Sequence, residues 1–198
     1  MSAPDQVTER LELWRPDPER DLADAFVLMS DPRSWEHAPA LRHAAPEVKR
    51  GWLQRAAGRW QEDSLSYWIA RSRADGAFVG MGGVQRHVTG SWNLLYRVSV
   101  PWRRRGLAVE IGRAAMLRAQ LQDAGVPVIA WIQPHNLRLR RTAERLGLSD
   151  RGLFVDPADG LARHAYTPGS PESLALEPGR GPAFGPLAGG RTSGAPRR

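Results

Sequence analysis

The chain contains no cysteine, a single lysine (Lys49) and no long apolar run. Without cysteine it forms no disulfide, no thiolate metal site and no cysteine nucleophile, so any chemistry has to come from other groups. No apolar stretch approaches the roughly 20 residues that span a bilayer, and Met1-Ser2-Ala3-Pro4-Asp5 lacks the basic and apolar regions of a secretory signal. A cytoplasmic protein with no membrane partner is therefore expected. No internal repeat occurs, and 198 residues suit one domain with a sizeable core rather than two.

What the chain has in excess is arginine, which supplies all but one of its 28 basic residues and a net charge of +7. Clustered cations would suggest nucleic acid, because they neutralise phosphates and release counterions. Here the arginines are scattered through every segment, which reads more simply as a coding bias, and nucleic acid is not an expected partner.

Residues 10–14 alternate as a half-buried strand does, and Asp17-Pro18-Glu19 opens a helix carrying Leu22, Ala25, Phe26 and Met29. A loop or broken helix follows from Asp31 to Ala45, a stretch rich in Pro, His and Ala. Pro46-Glu47 opens a second helix, with Val48, Trp52, Leu53 and Ala56 suited to its buried face. Three strands are expected at 67–70, 77–84 and 92–100, joined closely enough for an antiparallel meander. Leu107, Ile111, Ala114, Ala115 and Leu121 mark the core face of a long helix ended by Asp123-Ala124-Gly125. Val126 to Ile132 reads as a buried strand, and Leu139, Ala143 and Leu146 as a helix stopped by Gly147. Two weaker strands lie around 153–155 and 163–166. Residues 168–198, rich in Gly and Pro and without periodicity, cannot offset an ordering entropy of about 1–2 kcal/mol per residue. They are expected to form a disordered tail behind a domain of residues 1–167, or to carry a short motif for a partner.

The most informative stretch is Val98-Ser99-Val100-Pro101-Trp102-Arg103-Arg104-Arg105-Gly106-Leu107-Ala108-Val109-Glu110. A strand runs through a proline, three arginines and a small-residue turn into a helix. Gly106 and Ala108 let the backbone approach a ligand, the helix start offers unpaired N–H groups and the positive end of its dipole, and Arg103, Arg104 and Arg105 add charge for a phosphate. A solvated surface turn is the plainer alternative.

The pattern Arg-x-x-Gly-x-Ala, with Glu110 two residues later, resembles the acyl-coenzyme A pyrophosphate loop of the GCN5-related N-acetyltransferases (GNATs), in particular their RimJ/RimL-like branch. A second segment, 134–148, resembles the family's Asn-x-x-Ser helix that ends in a basic residue, Leu, Gly and Phe. Asn136, Arg145, Leu146 and Gly147 match, while Leu139, Thr142 and Leu148 stand in place of Ser, Val and Phe. The resemblance covers roughly residues 8–167. It implies an α/β (α+β) fold: a mixed, mostly antiparallel central sheet of about seven strands flanked by about four helices and splayed between its fourth and fifth strands.

It also implies acetyl-coenzyme A as co-substrate, no metal, and attack by a primary amine, either a protein N-terminal α-amine or a small-molecule amine, in a ternary complex. By the resemblance, Val98, Ser99 and Val100 supply backbone donors to the oxyanion, the N–H groups from Arg103 through Leu107 to Ala108 hold the pyrophosphate, and Asn136 belongs to the cofactor site. The proton-handling positions depart from the pattern: Asn93 stands where the branch has glutamate, and Leu95 where it has glycine. His87 and His135 are the candidate replacement bases, and Tyr96 is a candidate proton donor or a cross-strand aromatic. Glu110 can instead stabilise its helix start. Arg138, Arg140, Arg141 and Arg145 form an exposed helix face from which one can reach the cofactor's 3′-phosphate. Trp14, Trp35, Trp52 and Trp60 fill the core or line an acceptor cleft. The loops at 31–46 and 85–92, with His37 and His43, carry no readable charge code for the acceptor, and a homodimer stays open. Asn93 and Leu139 also motivate an alternative, a non-catalytic acyl-coenzyme A sensor or partner-binding module on the same fold.

Overall fold

The structure, a computed structural model, describes residues 3–36, 38–39, 42 and 45–169. One eight-stranded sheet runs in the order β1-β2-β3-β4-β5-β6-β8-β7. Its strands are β1 (Gln6–Val7), β2 (Leu11–Trp14), β3 (Tyr67–Ser72), β4 (Phe78–Arg86), β5 (Trp92–Val98), β6 (Val128–Ile132), β7 (Leu148–Val155) and β8 (Ala162–Pro168). Every neighbouring pair is antiparallel except β5 and β6. The strand beyond the expected seven is β1, two residues that fold back on Glu12 and Leu13 and are too short to show an alternation. With β1 counted, the expected splay between the fourth and fifth strands falls between β5 and β6. β8 runs one residue into the segment expected as tail; residues 170–198 lie outside the described residues.

Local chemistry sets the helix starts. Asp17 accepts from the amides of Glu19 and Arg20 ahead of α1 (Pro18–Ser30), and Pro46 sits at the first position of α2 (Pro46–Glu62). α3 (Leu107–Gln122) begins at Gly106, and Asn136 caps α4 (Leu137–Arg145) by accepting from the Leu139 amide at 3.1 Å. α3 and α4 cover one face of the sheet, where Ile111 of α3 packs in one cluster with Trp68, Trp92 and Tyr96. α1 and α2 cover the other, over Leu28, Trp35, Leu53, Ile69 and Met81. A Cβ at Gly82 of β4 would lie 2.6 Å from both the Leu95 carbonyl oxygen and the Ile111 side chain, so glycine there lets β5 and α3 close in.

Two apolar positions turn the other way from expectation. Leu121, at the fraying end of α3, is exposed. On α2 the buried stripe is Lys49, Leu53, Ala56 and Trp60, whereas Val48 is 52% exposed and Lys49 is 0% exposed. Leu53 and Ala56 are buried as expected, while Val48 faces out and Trp52 is half-buried, because a hydrophobic pattern counts the valine and not the lysine.

Lys49 has no carboxylate partner among the described residues: its Nζ lies 3.3 Å from the Met81 sulfur and 3.4 Å from the centre of the Trp52 ring. Burial, and then the nearby Arg97 charge, push its amine down to about 6. Lys49→Met, a side chain of similar length, is expected to raise stability by roughly 3–5 kcal/mol near pH 7. Between about 6 and the ordinary 10.5 the amine must shed a proton to fold, so the gain is full at and below pH 6 and fades as the pH climbs toward 10.5. Urea unfolding across that range checks it; a gain independent of pH, or a loss, contradicts it. Gly82→Ala is expected to cost about 1–3 kcal/mol by forcing β5 or Ile111 to shift, read as a lowered urea midpoint in the same assay.

Candidate active site

β5 and β6 run in parallel and share register only at Trp92↔Val128 and Asn93↔Ile129, after which they part. The Trp92 amide donates across to the Pro127 carbonyl at 2.8 Å, whereas the Ser99 amide donates the other way, to Val79 on β4, at 2.9 Å. Strand alternation between these two fixes the rest: the amides of Tyr96 and Val98 face the opening. Opposite them β6 offers no partner. The Tyr96 hydroxyl donates to the Leu139 carbonyl at 3.2 Å, tying β5 to the first turn of α4 behind the gap, and burial holds its phenol well above the ordinary range.

At the far end of β5 the chain makes a short 3-10 turn (Val100–Trp102) and enters the loop before α3. Arg104 (φ 65°) and Gly106 (φ 78°) are both left-handed, a conformation that glycine adopts freely and arginine does not. Among the described residues, the amides of Arg104, Arg105, Gly106, Leu107 and Ala108 donate no hydrogen bond; the first paired amide in the helix is that of Val109, to the Gly106 carbonyl. A Cβ at Gly106 would meet only the Arg10 guanidinium, at 3.6 Å. Consecutive free amides with alternating backbone handedness, open to solvent at a helix N-terminus, form a concave anion nest.

Glu110 anchors this loop. It accepts from the Thr8 hydroxyl at 2.6 Å and from the Arg10 amide and Nε at 2.8 and 2.7 Å, while Arg10 Nη1 reaches the Arg105 carbonyl at 2.7 Å. Burial alone would raise this carboxyl; the bonds from Thr8 and Arg10 outweigh it and hold it below its ordinary range. Glu110 thus works as a strap between the N-terminal hairpin and the first turn of α3, a tie across the chain that the expected stabilisation of its own helix start did not include.

Several expected contributions are corrected. The Arg103 amide is taken by the Val100 carbonyl at 3.3 Å, so the free run starts at Arg104. The Arg103 side chain turns away from the helix start toward the α1–α2 connection, donating to the carbonyls of Val98 and Arg33 and to the Ser34 hydroxyl. Ser99 offers no amide to the gap because Val79 holds it, and its carbonyl accepts from Trp102; of the three expected oxyanion donors, Val98 has its amide on the open edge and Val100 heads the 3-10 turn. The Arg105 guanidinium lies 4.9 Å from the centre of the Trp102 ring.

The candidate proton carriers are dispersed. Asn93 lies near the hydroxyl of Tyr67, whose ring stacks on Trp52 at 5.5 Å on the α1–α2 face; burial raises the Tyr67 phenol. His87 sets Nε2 3.1 Å from the Asp156 carboxylate and Nδ1 3.0 Å from the Thr89 hydroxyl, so both ring nitrogens face protein groups. His135 is exposed before α4. Asn136 caps its helix, and His37 and His43 lie outside the described residues. Sequence reasoning missed two groups on the α1–α2 face: Lys49, and Arg97, whose guanidinium lies 4.0 Å from the centre of the Trp35 ring. Lys49 stood out as the chain's one lysine, but nothing in its neighbours marked it as inward-facing.

The residues present fit an acyl-coenzyme A molecule: an open strand edge for an amide-bearing arm, ending in a nest of free amides for a diphosphate. A sequence profile described as the acetyltransferase (GNAT) domain matches residues 10–149. No curated protein matches the chain in sequence. Among solved structures, an acetyltransferase from Agrobacterium tumefaciens superposes with a TM-score of 0.71 at 21% identity, covering 86% of this chain and 96% of that one. A GNAT-family acetyltransferase from Bacillus anthracis gives 0.65 at 17% identity, covering 81% and 95%. RimL, a ribosomal L7/L12 α-N-protein acetyltransferase solved with coenzyme A, gives 0.67 at 13% identity, covering 82% and 95%. With the profile spanning most of the described chain and the parted strands leading to the amide nest, the protein belongs to the GNAT family of acetyl-coenzyme A-dependent acetyltransferases.

Proposed function

We propose that this protein is an N-acetyltransferase of the RimJ/RimL-like branch, passing the acetyl group of acetyl-coenzyme A directly to a primary amine that enters from the α1–α2 side of the sheet. The observation that carries this reading is the run of free amides from Arg104 to Ala108 at the end of the opened β5 edge. When bound, acetyl-coenzyme A supplies an activated thioester carbonyl and a thiolate leaving group. The amides of Arg104 to Ala108 and the positive end of α3 would hold its diphosphate, with Arg104 and Arg105 adding full charge. The edge of β5 would pair with the pantetheine amides in the manner of an added strand. The Tyr96 and Val98 amides, fixed by the β4 ladder before any substrate arrives, would meet the negative charge that builds on the acyl oxygen, which is where preorganised donors lower a barrier. Holding amine and thioester at the same break in the sheet contributes proximity on top.

The two faces of β5 divide the labour in this reading. Tyr96 points to the α3–α4 side and braces the gap through Leu139; Asn93, Leu95 and Arg97 point to the α1–α2 side, where the amine would approach. Asn93, beside Tyr67, supports positioning of that amine rather than removal of its proton, since an amide is no base. Residues 1–167 would form the catalytic domain.

Calorimetry with acetyl-coenzyme A is expected to give micromolar binding to the parent. Arg105→Glu, at an exposed side chain, and Gly106→Glu, which adds both a carboxylate and left-handed strain, are expected to weaken it by about a hundredfold while the circular dichroism spectrum is kept. Folded variants that bind like the parent would overturn the reading. Catalysis is separated from mere sensing by following release of the coenzyme A thiol in the presence of a panel of peptide N-termini and small amines: turnover with any of them is the expected outcome, and binding without turnover across the panel would favour the sensor.

A further inference from the structure

The α1–α2 side of the gap holds more positive charge than the fold balances. Arg97 extends from β5 over the Trp35 ring, and its Nη1 donates to the Ser34 carbonyl at 3.1 Å. Its Nε and Nη2, the edge of a guanidinium that grips a carboxylate with two parallel bonds, donate to nothing among the described residues. Arg103 converges on the same Ser34 through its hydroxyl, at 2.9 Å, and also binds only neutral oxygens. Lys49, behind them in the core, touches only a thioether and an indole face.

The acids of this neighbourhood are engaged elsewhere. Asp31 is gripped by Arg33 at 2.9 Å, and Glu36 lies 3.9 Å from Arg138 on α4. His37, Ala40, Leu41, His43 and Ala44, which complete the α1–α2 connection, bring no carboxylate by sequence. Burial, and then the Arg103 charge, lower the Arg97 guanidinium to about 10. A cation desolvated beside other cations is costly unless something anionic completes it, and the fold already tolerates the stability cost of Lys49 at the same place.

We propose that the acceptor amine carries a carboxylate, and that the free edge of Arg97, stacked on Trp35 and flanked by Arg103, holds it on the α1–α2 face of β5. One planar monoanion matches the one guanidinium edge left open, since Lys49 is neutral near pH 7 and Arg103 already donates to the Ser34 hydroxyl and to the carbonyls of Val98 and Arg33. An acceptor of this class, an amino acid or a molecule with an acid group near its amine, would bind with the carboxylate on Arg97 and the amine turned toward the Tyr96 and Val98 amides. Arg97 then sets acceptor specificity. This assignment rests on reading the α1–α2 side as the acceptor side.

The test uses the full chain saturated with coenzyme A, so that the nest before α3 is filled and free anions report on other sites. Acetate, benzoate and inorganic phosphate are titrated while the indole N–H signal of Trp35, identified with Trp35→Phe, is followed by nuclear magnetic resonance. The carboxylates are expected to shift it saturably, Arg97→Gln to weaken them by about tenfold or more, and Arg97→Lys to restore part of the affinity. An unsaturable response, parent-like binding by Arg97→Gln, or a response to phosphate and to neither carboxylate overturns the proposal. Failure of coenzyme A itself to bind in the same samples would instead strike the acetyltransferase reading and leave the Arg97 result standing.

Discussion

The parting of β5 from β6 after two shared register positions is the constraint on which the rest of the molecule depends. Backbone amides inside a sheet are ordinarily consumed by their neighbours, and leaving them unmet is unfavourable unless water or a ligand takes them. Here the β4 ladder holds one edge of β5 rigid while the other is opened, and the same strand delivers the chain into a loop whose five successive amides are also unmet. Both features are backbone features, and the architecture that carries them tolerates wide sequence change: solved structures at 13–21% identity share the fold.

The two faces of β5 carry opposite problems. On the α3–α4 side the need is close packing, met by Gly82 against Ile111 and by a tyrosine hydroxyl that bridges to Leu139. On the α1–α2 side an amine and a guanidinium, Lys49 and Arg97, are drawn out of water with no carboxylate to meet them among the described residues, and only the guanidinium keeps its charge near pH 7. Stability and function pull apart at that place, as they do where a site is built to be completed by its substrate. Glu110 shows the contrary case, a carboxylate met by Thr8 and Arg10 that ties the N-terminal hairpin to the first turn of α3.

What was legible in the sequence was what the backbone dictates. Gly106 before a helical pattern, Pro101 after a strand and Asn136 at a helix start each have a local physical cause, and the structure places all three as those causes require. Side-chain direction was not legible. Arg103 sits in the motif with Arg104 and Arg105, yet it turns to Ser34, 69 residues away in sequence, because packing of the α1–α2 connection decides it. On α2 the expected Leu53 and Ala56 are buried, but Lys49 takes the inward place expected of Val48, and a hydrophobic pattern cannot announce an inward lysine; the aromatic face of Trp52 and the Met81 sulfur that accommodate it come from a full turn and a strand away. The strand β1 escaped because two residues carry no period.

The central claim, that the open amides are the binding surface, is tested most directly by titrating coenzyme A into the isotopically labelled protein and mapping backbone amide shifts. The largest changes are expected on Arg104 through Ala108 and on Tyr96 and Val98, with the β4-bonded Ser99 amide little moved. Saturable binding that leaves those amides in place and perturbs another surface would contradict it.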